Sequence, residues 1–175
     1  MTSHQSHRKA AAPQKIRVSL ITVSTSRFAG KSKGKKMIDG SGDIAESSMI
    51  KTKHHLVSKD IVDDQVEMIR ALLLKNLYEK EADVVFLLGG TGIARRDVTL
   101  EAVKPLLDKE LEGFGEIFRF LSYQDIGAPA ILSRALGGSI DGRLIFCLPG
   151  SPNAVKTGLQ IVLPELSHAI SIARS

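Results

Sequence analysis

The sequence predicts an α/β fold with a mostly parallel sheet, and one pattern that occurs twice carries this prediction. Apolar residues 84–88 end at Gly89-Gly90 before a helical segment, and apolar residues 144–148 end at Pro149-Gly150 before another. A short apolar run that stops at a glycine turn and continues into a helix is typical of a strand in a parallel sheet. The dipeptide Asp141-Gly142 is a two-residue hairpin signal. It predicts a short antiparallel pair of strands at one edge of the sheet.

The first half of the chain is predicted to contain two more strands and two helices. Residues 16–23 and 56–62 read as strands, and apolar side chains recur at helical spacing over residues 66–77. Ser41 is expected to cap a helix over residues 43–53. Residues 28–41 show neither a helical nor a strand period, so we predict a mobile loop there.

The second half of the chain is predicted to continue with helices after the central strand. Thr99 is expected to cap a helix over residues 100–107. Two glycines within residues 111–116 predict a turn, and an amphipathic helix over residues 117–123 follows it. Apolar side chains here are expected in the core or in a subunit interface, namely Phe114, Phe118 and Leu121.

Length and composition are those of one globular domain. The chain has 175 residues, of which 43% are hydrophobic and 25% are charged, and these values are ordinary for a soluble protein. We expect residues 1–14 to form a disordered, basic N-terminal arm and residues 15–175 to form the single domain. Aromatic residues make up only 5% and Trp is absent, which argues against stacking platforms for single-stranded nucleic acid.

The net charge of +5 is concentrated near the N-terminus. Residues 1–42 hold nine Lys or Arg and one acidic residue, whereas the remainder holds 15 basic and 18 acidic residues. A basic arm is usually a solvated tail, so a contact with nucleic acid through it is the less favoured alternative. The lysine cluster of this region is either solvated or part of a lid that grips a polyphosphate, and the sequence leaves both open. It consists of Lys31, Lys33, Lys35 and Lys36.

Location and redox state are inferred from a single thiol and from two absent signals. Cys147 is the only cysteine, so no intramolecular disulfide can form, and its apolar neighbours predict a buried core thiol rather than a nucleophile. No apolar stretch is long enough for a membrane span, and residues 1–15 lack the apolar segment of a secretory signal. We therefore expect a cytoplasmic protein with no membrane partner.

The turn after the central strand contains the candidate phosphate site. Residues 89–99 read GGTGIARRDVT, and the three glycines let the backbone turn tightly and approach a ligand. Thr91 adds a hydroxyl, and Asp97 adds a carboxylate. Arg95 and Arg96 add guanidinium groups suited to phosphate. A strand, a glycine turn and a helix start form the usual geometry for anion capture in α/β sheets. The predicted binding residues here are Gly89, Gly90, Thr91, Gly92 and Arg95.

Two other turns are expected at the same edge of the sheet, because the carboxyl ends of parallel strands meet there. The last strand stops at a turn that also begins the final helix, with Ser151 as N-cap, and Pro164 later kinks or divides that helix. The first strand ends in a hydroxyl-rich turn with one cation. The candidate binding residues of these two turns are Pro149, Gly150, Ser151 and Pro152, and Ser24, Thr25 and Arg27.

Two acidic residues follow the second strand. Asp63 and Asp64 precede the helical pattern, so either of them fits an N-cap. The pair also suits a divalent cation held outside the carboxyl edge of the sheet, and spacing alone does not decide between the two roles. His54 and His55 are favoured as helix-end residues over zinc ligands, because a zinc site needs three or four converging ligands.

Four motifs occur in a fixed order along the chain. They are GGTGIARRDVT at 89–99, EGFGE at 112–116, LSRA at 132–135 and LPGSPNAV at 148–155. Together they resemble the molybdenum cofactor biosynthesis MoaB/MogA family, and the resemblance extends over about residues 16–166. It implies a three-layer α/β/α sandwich and a homo-oligomer, either a trimer or a hexamer of two trimers.

The resemblance also implies a molybdopterin adenylyltransferase. In that reaction the terminal phosphate of molybdopterin attacks the α-phosphorus of ATP, and pyrophosphate leaves. Adenylylated molybdopterin then passes to other cofactor-biosynthesis proteins for insertion of molybdenum or tungsten, and Mg²⁺ is expected as the cofactor. The family's two functional aspartates correspond by motif position to Asp64 and Asp97, which are the predicted catalytic residues and metal ligands. Asp63 stands where proline is commoner. Members that lack the first aspartate look inactive, whereas this chain keeps both.

The chemistry of these residue types agrees with that implication. Nucleotidyl transfer needs charge neutralisation and in-line positioning more than a protein nucleophile, and the attacking phosphate is already anionic. Arg27, Arg95, Arg96 and the lysine cluster are unranked candidates for neutralising that charge. The alternative function is a non-catalytic molybdopterin-binding carrier or scaffold of the same fold.

Overall fold

The protein is built on one six-stranded sheet with helices on both faces, as a computed structural model of residues 15–175 shows. The predicted α/β class is therefore confirmed, and the predicted arm over residues 1–14 lies outside the described residues. The strand order is β2-β1-β3-β6-β5-β4. The strands are β1 (Arg17–Val23), β2 (His55–Val62), β3 (Val84–Leu88), β4 (Lys109–Glu110), β5 (Leu136–Ile140) and β6 (Arg143–Leu148).

Seven α-helices connect and cover these strands in the described part of the chain. They are α1 (Thr25–Ser32), α2 (Gly40–Lys51), α3 (Val66–Tyr78), α4 (Thr99–Val103), α5 (Glu112–Ile126), α6 (Pro152–Val162) and α7 (Leu166–Ala173). Short 3₁₀ segments lie between several of them, including Leu163–Glu165, where Pro164 divides α6 from α7 as predicted. No helix within residues 15–175 has the length and apolar character to cross a membrane.

Strands β2, β1, β3 and β6 run parallel, and β5 and β4 add antiparallel pairs at one side. The predicted hairpin joins β5 to β6, with Asp141 and Gly142 at φ values of 48° and 69°. Positive φ at both central residues is what a type I′ hairpin turn needs. The outermost strand is the two-residue β4, which was not predicted.

Successive residues of the central strands face two separate apolar cores. Val84 and Phe86 belong to the core under α2, α5, α6 and α7, whereas Val85 and Leu87 belong to the core under α3 and α4. Cys147 lies fully buried in the second core, as predicted, and burial raises the pKa of its thiol far above the ordinary value. Because both faces of the sheet are covered, its central strands read as continuous apolar runs.

The prediction of a loop over residues 28–41 was wrong at both ends, because residues 28–32 and 40–41 are helical. The Ser24 hydroxyl caps α1, which extends to Ser32, and Asp39 instead of Ser41 caps α2. Asp39 is buried, and its carboxylate accepts hydrogen bonds from the Thr22 hydroxyl at 2.6 Å and from the Gly42 N–H at 3.1 Å. The contact of Asp39 with β1 is tertiary, so local periodicity could not reveal it.

Two other predicted caps and one predicted turn were also wrong. Gln65 occupies the N-cap position of α3, so neither Asp63 nor Asp64 caps that helix. Thr99 begins α4, and its hydroxyl donates to the Gly89 carbonyl at 2.8 Å. The EGFGE segment belongs to α5, where Gly115 lies close to β5. A Cβ atom there would be 3.0 Å from the Ala135 carbonyl oxygen.

Candidate active site at the glycine turns

The two glycine turns touch each other at the carboxyl edge of the parallel strands. The Gly89 N–H donates to the Leu148 carbonyl at 2.9 Å, and a Cβ atom on Gly150 would lie 3.2 Å from the Gly89 Cα. Gly89 has a φ of 114°, and a Cβ atom on it would overlap the Val23 carbonyl oxygen. Gly90 has a φ of 61°. The turn therefore depends on glycine both for its φ angles and for its close packing.

A groove of about 430 Å³ opens between these turns, α5 and the 3₁₀ segment Ala128–Leu132. One wall is polar and consists of turn backbone together with the Asp97 carboxylate. The opposite wall is largely apolar, because α5 and the 3₁₀ segment supply it. The polar wall comprises Gly89, Gly90, Thr91, Gly92, Asp97, Pro149, Gly150 and Ser151, and the other lining residues are Phe118, Ser122, Ile126, Pro129, Ala130, Leu132, Ser133 and, from α6, Ala154.

Asp64 reaches the first glycine turn from the end of β2. One carboxylate oxygen, Oδ2, accepts hydrogen bonds from the Thr25 N–H at 2.7 Å and from the Thr25 hydroxyl at 2.9 Å. The other oxygen, Oδ1, lies 3.0 Å from the position that a Cβ atom on Gly90 would occupy. Among the described residues nothing donates to Oδ1, so this oxygen is free to meet a ligand beside the turn.

Asp63 is used locally and does not reach the turn in the same way. Its carboxylate accepts hydrogen bonds from the Asp64 N–H and from the Gln65 side-chain amide, each at 2.9 Å. The Thr25 hydroxyl, which donates to Asp64, also lies close enough to lower the pKa of the Asp63 carboxyl, and the Gln65 and Asp64 donors act in the same direction. The hydrogen-bond partners thus distinguish Asp63 from Asp64, which their spacing in the sequence could not do.

Asp97 contacts the same turn two residues further along, at Gly92. Its Oδ2 accepts a hydrogen bond from the Ala94 N–H at 2.9 Å and lies 2.6 Å from the position of a Cβ atom on Gly92. Asp64 and Asp97 therefore flank glycines only two positions apart. In residues 15–175 no group of three or more His, Cys, Asp or Glu side chains is arranged to hold a metal ion. A cation here would rely on two carboxylates and on oxygens from outside the protein.

Comparison with known proteins places this chain in a family. Residues 19–168 match the family model described as a "probable molybdopterin binding domain". This chain belongs to the molybdopterin-binding domain family.

Relatives of known name support the MoaB/MogA resemblance within that family. The chain is 42% identical to molybdenum cofactor biosynthesis protein B of Bacillus cereus over 162 residues, which cover 91% of this chain and 92% of that protein. It is also 42% identical to a molybdopterin adenylyltransferase of Pyrococcus furiosus over 170 residues, which cover 95% and 96% of the two chains.

Solved structures agree with the fold. The crystal structure of a molybdenum cofactor biosynthesis protein B superposes with a TM-score of 0.82 at 40% identity, covering 93% of this chain and 98% of that one. The tungsten cofactor synthesizing protein MoaB from Pyrococcus furiosus superposes with a TM-score of 0.80 at 42% identity, covering 94% and 100%. The three-layer architecture implied by the motifs is thereby confirmed for this member of the molybdopterin-binding domain family.

The remaining predicted site residues of this molybdopterin-binding domain lie outside the groove lining. Thr25 meets Asp64, whereas Ser24 serves as the N-cap of α1, and Pro152 is the first residue of α6 behind the Ser151 cap. Arg27 is turned toward the segment just before α2, and its Nε donates to the Ile38 carbonyl at 3.1 Å. Several cations are exposed and are absent from the lining of the groove, namely Arg95, Arg96, Lys31, Lys33, Lys35 and Lys36.

Two serines that line the groove, Ser122 and Ser133, were not predicted as site residues. The Ser133 hydroxyl is buried and has no hydrogen-bond partner within residues 15–175. A buried hydroxyl without a partner costs free energy unless a ligand or water satisfies it. The only sequence signal was its place in the LSRA motif, because nothing local distinguishes it from an ordinary loop serine.

Proposed function

We propose that this chain is a molybdopterin adenylyltransferase that transfers AMP from ATP to the terminal phosphate of molybdopterin and releases pyrophosphate. The observation that carries the proposal is that Asp64 and Asp97 contact the same glycine turn, at Gly90 and Gly92, and that this turn and Asp97 line the groove. The Pyrococcus furiosus relative, which this chain matches over nearly its whole length, bears that name. Nucleotidyl transfer depends on such charge placement beside backbone N–H groups.

The two carboxylates suit Mg²⁺. This ion is usually held by one or two carboxylates and completes its coordination with water and substrate phosphates. Asp64 and Asp97 each keep one oxygen that accepts no hydrogen bond from the described residues, and these two residues would hold the ion. Bound there, Mg²⁺ would neutralise charge on the triphosphate and on the departing pyrophosphate.

The remaining groups of the groove bind and orient the substrates. The backbone at Gly90 and Gly92 is open to phosphate oxygens, and the Ser151 cap presents the N-terminus of the eleven-residue α6 at the opposite turn. The apolar wall around Phe118 offers a surface for a flat ring system. The buried Ser133 hydroxyl is positioned to bond a polar edge of that ring. A general base is not required, because the attacking phosphate is already anionic.

An exposed apolar face on α5 supports assembly into a homo-oligomer, for which the family resemblance implies a trimer or a hexamer. Six large apolar side chains of α5 and of the following 3₁₀ segment are about half exposed or more. They are Ile117, Phe120, Tyr123, Ile126, Ile131 and Leu132. Monomeric proteins rarely expose a contiguous face of this kind. We propose further that the adenylylated product passes to other cofactor-biosynthesis proteins.

The decisive experiment measures pyrophosphate release from purified protein with molybdopterin, ATP and Mg²⁺. Asp64→Asn and Asp97→Asn are each expected to lower kcat by about a hundredfold or more, because each removes a charge that stabilises the transition state. Asp63→Asn is the matched control, since the Asp63 carboxylate is bonded by the Asp64 N–H and the Gln65 amide and does not contact the glycine turn, and it should retain activity within a few-fold. Tight molybdopterin binding without pyrophosphate release would instead identify a non-catalytic carrier. Full activity in both Asp64→Asn and Asp97→Asn would contradict the proposed site.

A further inference from the structure

We propose that Arg134 is a positioning residue that holds Asp97 at the glycine turn, an inference that rests on the adenylyltransferase function proposed above. Arg134 is not in contact with the groove itself, since it lies behind the loop of residues 91–97. It acts through the main chain of that loop. The loop bears both the phosphate-binding backbone and the second carboxylate, so its placement sets the geometry of the metal site.

The guanidinium group of Arg134 joins the two ends of this loop. Nη2 donates to the Asp97 carbonyl at 2.8 Å, and Nε donates to the Thr91 carbonyl at 3.3 Å. The Arg134 N–H also donates to the Thr91 carbonyl, again at 3.3 Å. A single side chain thus ties together two carbonyls that are six positions apart in sequence.

Arg134 is itself held from the far side by Glu101. Nη1 and Nη2 donate to the two carboxylate oxygens of Glu101 at 2.5 Å and 3.3 Å. Glu101 lies in the first turn of α4, immediately after the loop. A two-pronged arginine–carboxylate pair of this kind constrains orientation more tightly than a single ion pair does.

The loop has little else to hold it. Its middle residues, Ile93, Ala94, Arg95 and Arg96, are all exposed. The Ala94 and Asp97 main-chain and side-chain groups bond each other at 2.9 Å, which folds the loop on itself without attaching it to the sheet. Arg134 supplies the attachment from the segment that also bears the buried Ser133 hydroxyl. Arg134 therefore joins two segments that both line the groove, the loop of residues 91–97 and the segment of Ser133.

Arginine is needed at this position because the contacts diverge. Its planar fork presents several N–H donors at fixed angles, whereas a lysine ammonium is a compact charge at the end of a flexible stem. Lysine at 134 would keep the charge opposite Glu101 but could not reach both carbonyls of the loop together. Arg134→Lys therefore keeps the positive charge and removes only the geometry of the contacts.

The test compares Arg134→Lys with Arg70→Lys in the full-length protein. Arg70 is a matched control because it also donates to two main-chain carbonyls, those of Ala102 at 2.9 Å and of Glu101 at 3.0 Å, which belong to α4 and not to the loop of residues 91–97. Mn²⁺ binding is measured by EPR of the free ion, and pyrophosphate release is measured against Mg²⁺ and molybdopterin concentration.

We expect Arg134→Lys to weaken Mn²⁺ binding by about tenfold or more, as loss of outer-shell support typically does. Its kcat should fall and its half-saturating Mg²⁺ should rise, with KM for molybdopterin changed less than about twofold. Added guanidinium ion, at a non-denaturing concentration, should partly restore Mn²⁺ affinity to Arg134→Ala. Arg70→Lys should lose similar stability and keep its metal affinity.

Two outcomes would overturn the inference. One is wild-type Mn²⁺ affinity and kcat in Arg134→Lys, or equal losses in Arg70→Lys. The other is a wild-type protein that binds no Mn²⁺. Wild-type protein that binds Mn²⁺ but releases no pyrophosphate would reject the adenylyltransferase alone, and the comparison of Mn²⁺ affinities would still decide the role of Arg134.

Discussion

The Ser41 hydroxyl donates a hydrogen bond of 2.6 Å to the Gly150 carbonyl, across 109 positions of sequence. Ser41 is buried in the first turn of α2, and Gly150 belongs to the second glycine turn. Since a Cβ atom on Gly150 would press on Gly89, this bond also braces the first glycine turn. Helix α2 and the two glycine turns thus share one support at the edge of the groove.

Removing that support is expected to lower stability. Ser41→Ala should lower the free energy of unfolding by roughly 1 kcal/mol, because it removes a hydrogen bond that joins α2 to the second glycine turn. Urea unfolding measures this loss. Ser47→Ala is the control, since its exposed hydroxyl bonds only the Asp43 carbonyl of its own helix, and it should change stability by less than about 0.5 kcal/mol. Equal losses of unfolding free energy in the two variants would show that the hydrogen bond to Gly150 stabilises the protein no more than a bond within one helix does.

Gly89 should tolerate no side chain. Gly89→Ala places a Cβ atom on the Val23 carbonyl at a φ of 114°, so we expect a loss of about 3 kcal/mol or more, or failure to fold. Gly113→Ala is the matched control in α5, where a Cβ atom meets nothing within 4 Å. It should be neutral or stabilise by up to about 1 kcal/mol, since alanine favours a helix. Thermal unfolding of both variants checks this, and a stable Gly89→Ala protein would contradict it.

The exposed face of α5 should decide the oligomeric state. Phe120 is 61% exposed, and Phe120→Asp is expected to convert the assembly to monomers, because it places a charge within the proposed interface. Ile50→Asp is the control, since Ile50 is 69% exposed on α2 and lies apart from this face. Sedimentation velocity at micromolar concentration distinguishes the species. A wild-type monomer would contradict the proposed homo-oligomer outright.

The pKa of the Glu101 carboxyl should lie below its ordinary value of 4.5, because the Arg134 guanidinium group donates hydrogen bonds to the carboxylate. A carboxyl group whose pKa is lowered by folding stabilises the folded state above its unfolded pKa, and that stabilisation is lost as pH falls through the folded value. In Arg134→Gln the pKa of Glu101 should rise toward 4.5, as measured by ¹³C NMR of the Glu carboxyl signals. An unchanged pKa in that variant would show that the pair does not form in solution.

Several features of the fold could be read from local pattern. The strands at 84–88 and 144–148, the Asp141-Gly142 hairpin and the Ser151-Pro152 helix start were all confirmed. Each depends on a signal within a few residues, namely hydrophobic period, turn chemistry or capping. Such signals depend on neighbouring residues along the chain and not on tertiary contacts.

Two of the errors involve distant contacts, and a third involves a helix cap that was not predicted. Two glycines predicted a turn at EGFGE, yet the segment is helical, and Gly115 lets α5 approach the Ala135 carbonyl more closely than a side chain would allow. Residues 28–32 lacked a helical period, yet they form α1 behind the Ser24 cap. Asp39 replaced Ser41 as the cap of α2 because the Thr22 hydroxyl of β1 bonds it.

The sequence by itself determined which turns are glycine-lined, which residues bear charge beside them and to which family the motifs belong. Only the tertiary structure decided that Asp64 reaches the Gly90 turn while Asp63 bonds its neighbours, and that Ser133 faces the same groove. The reason is physical. Turn and helix signals arise from neighbours along the chain, whereas a groove forms where segments far apart in sequence pack together.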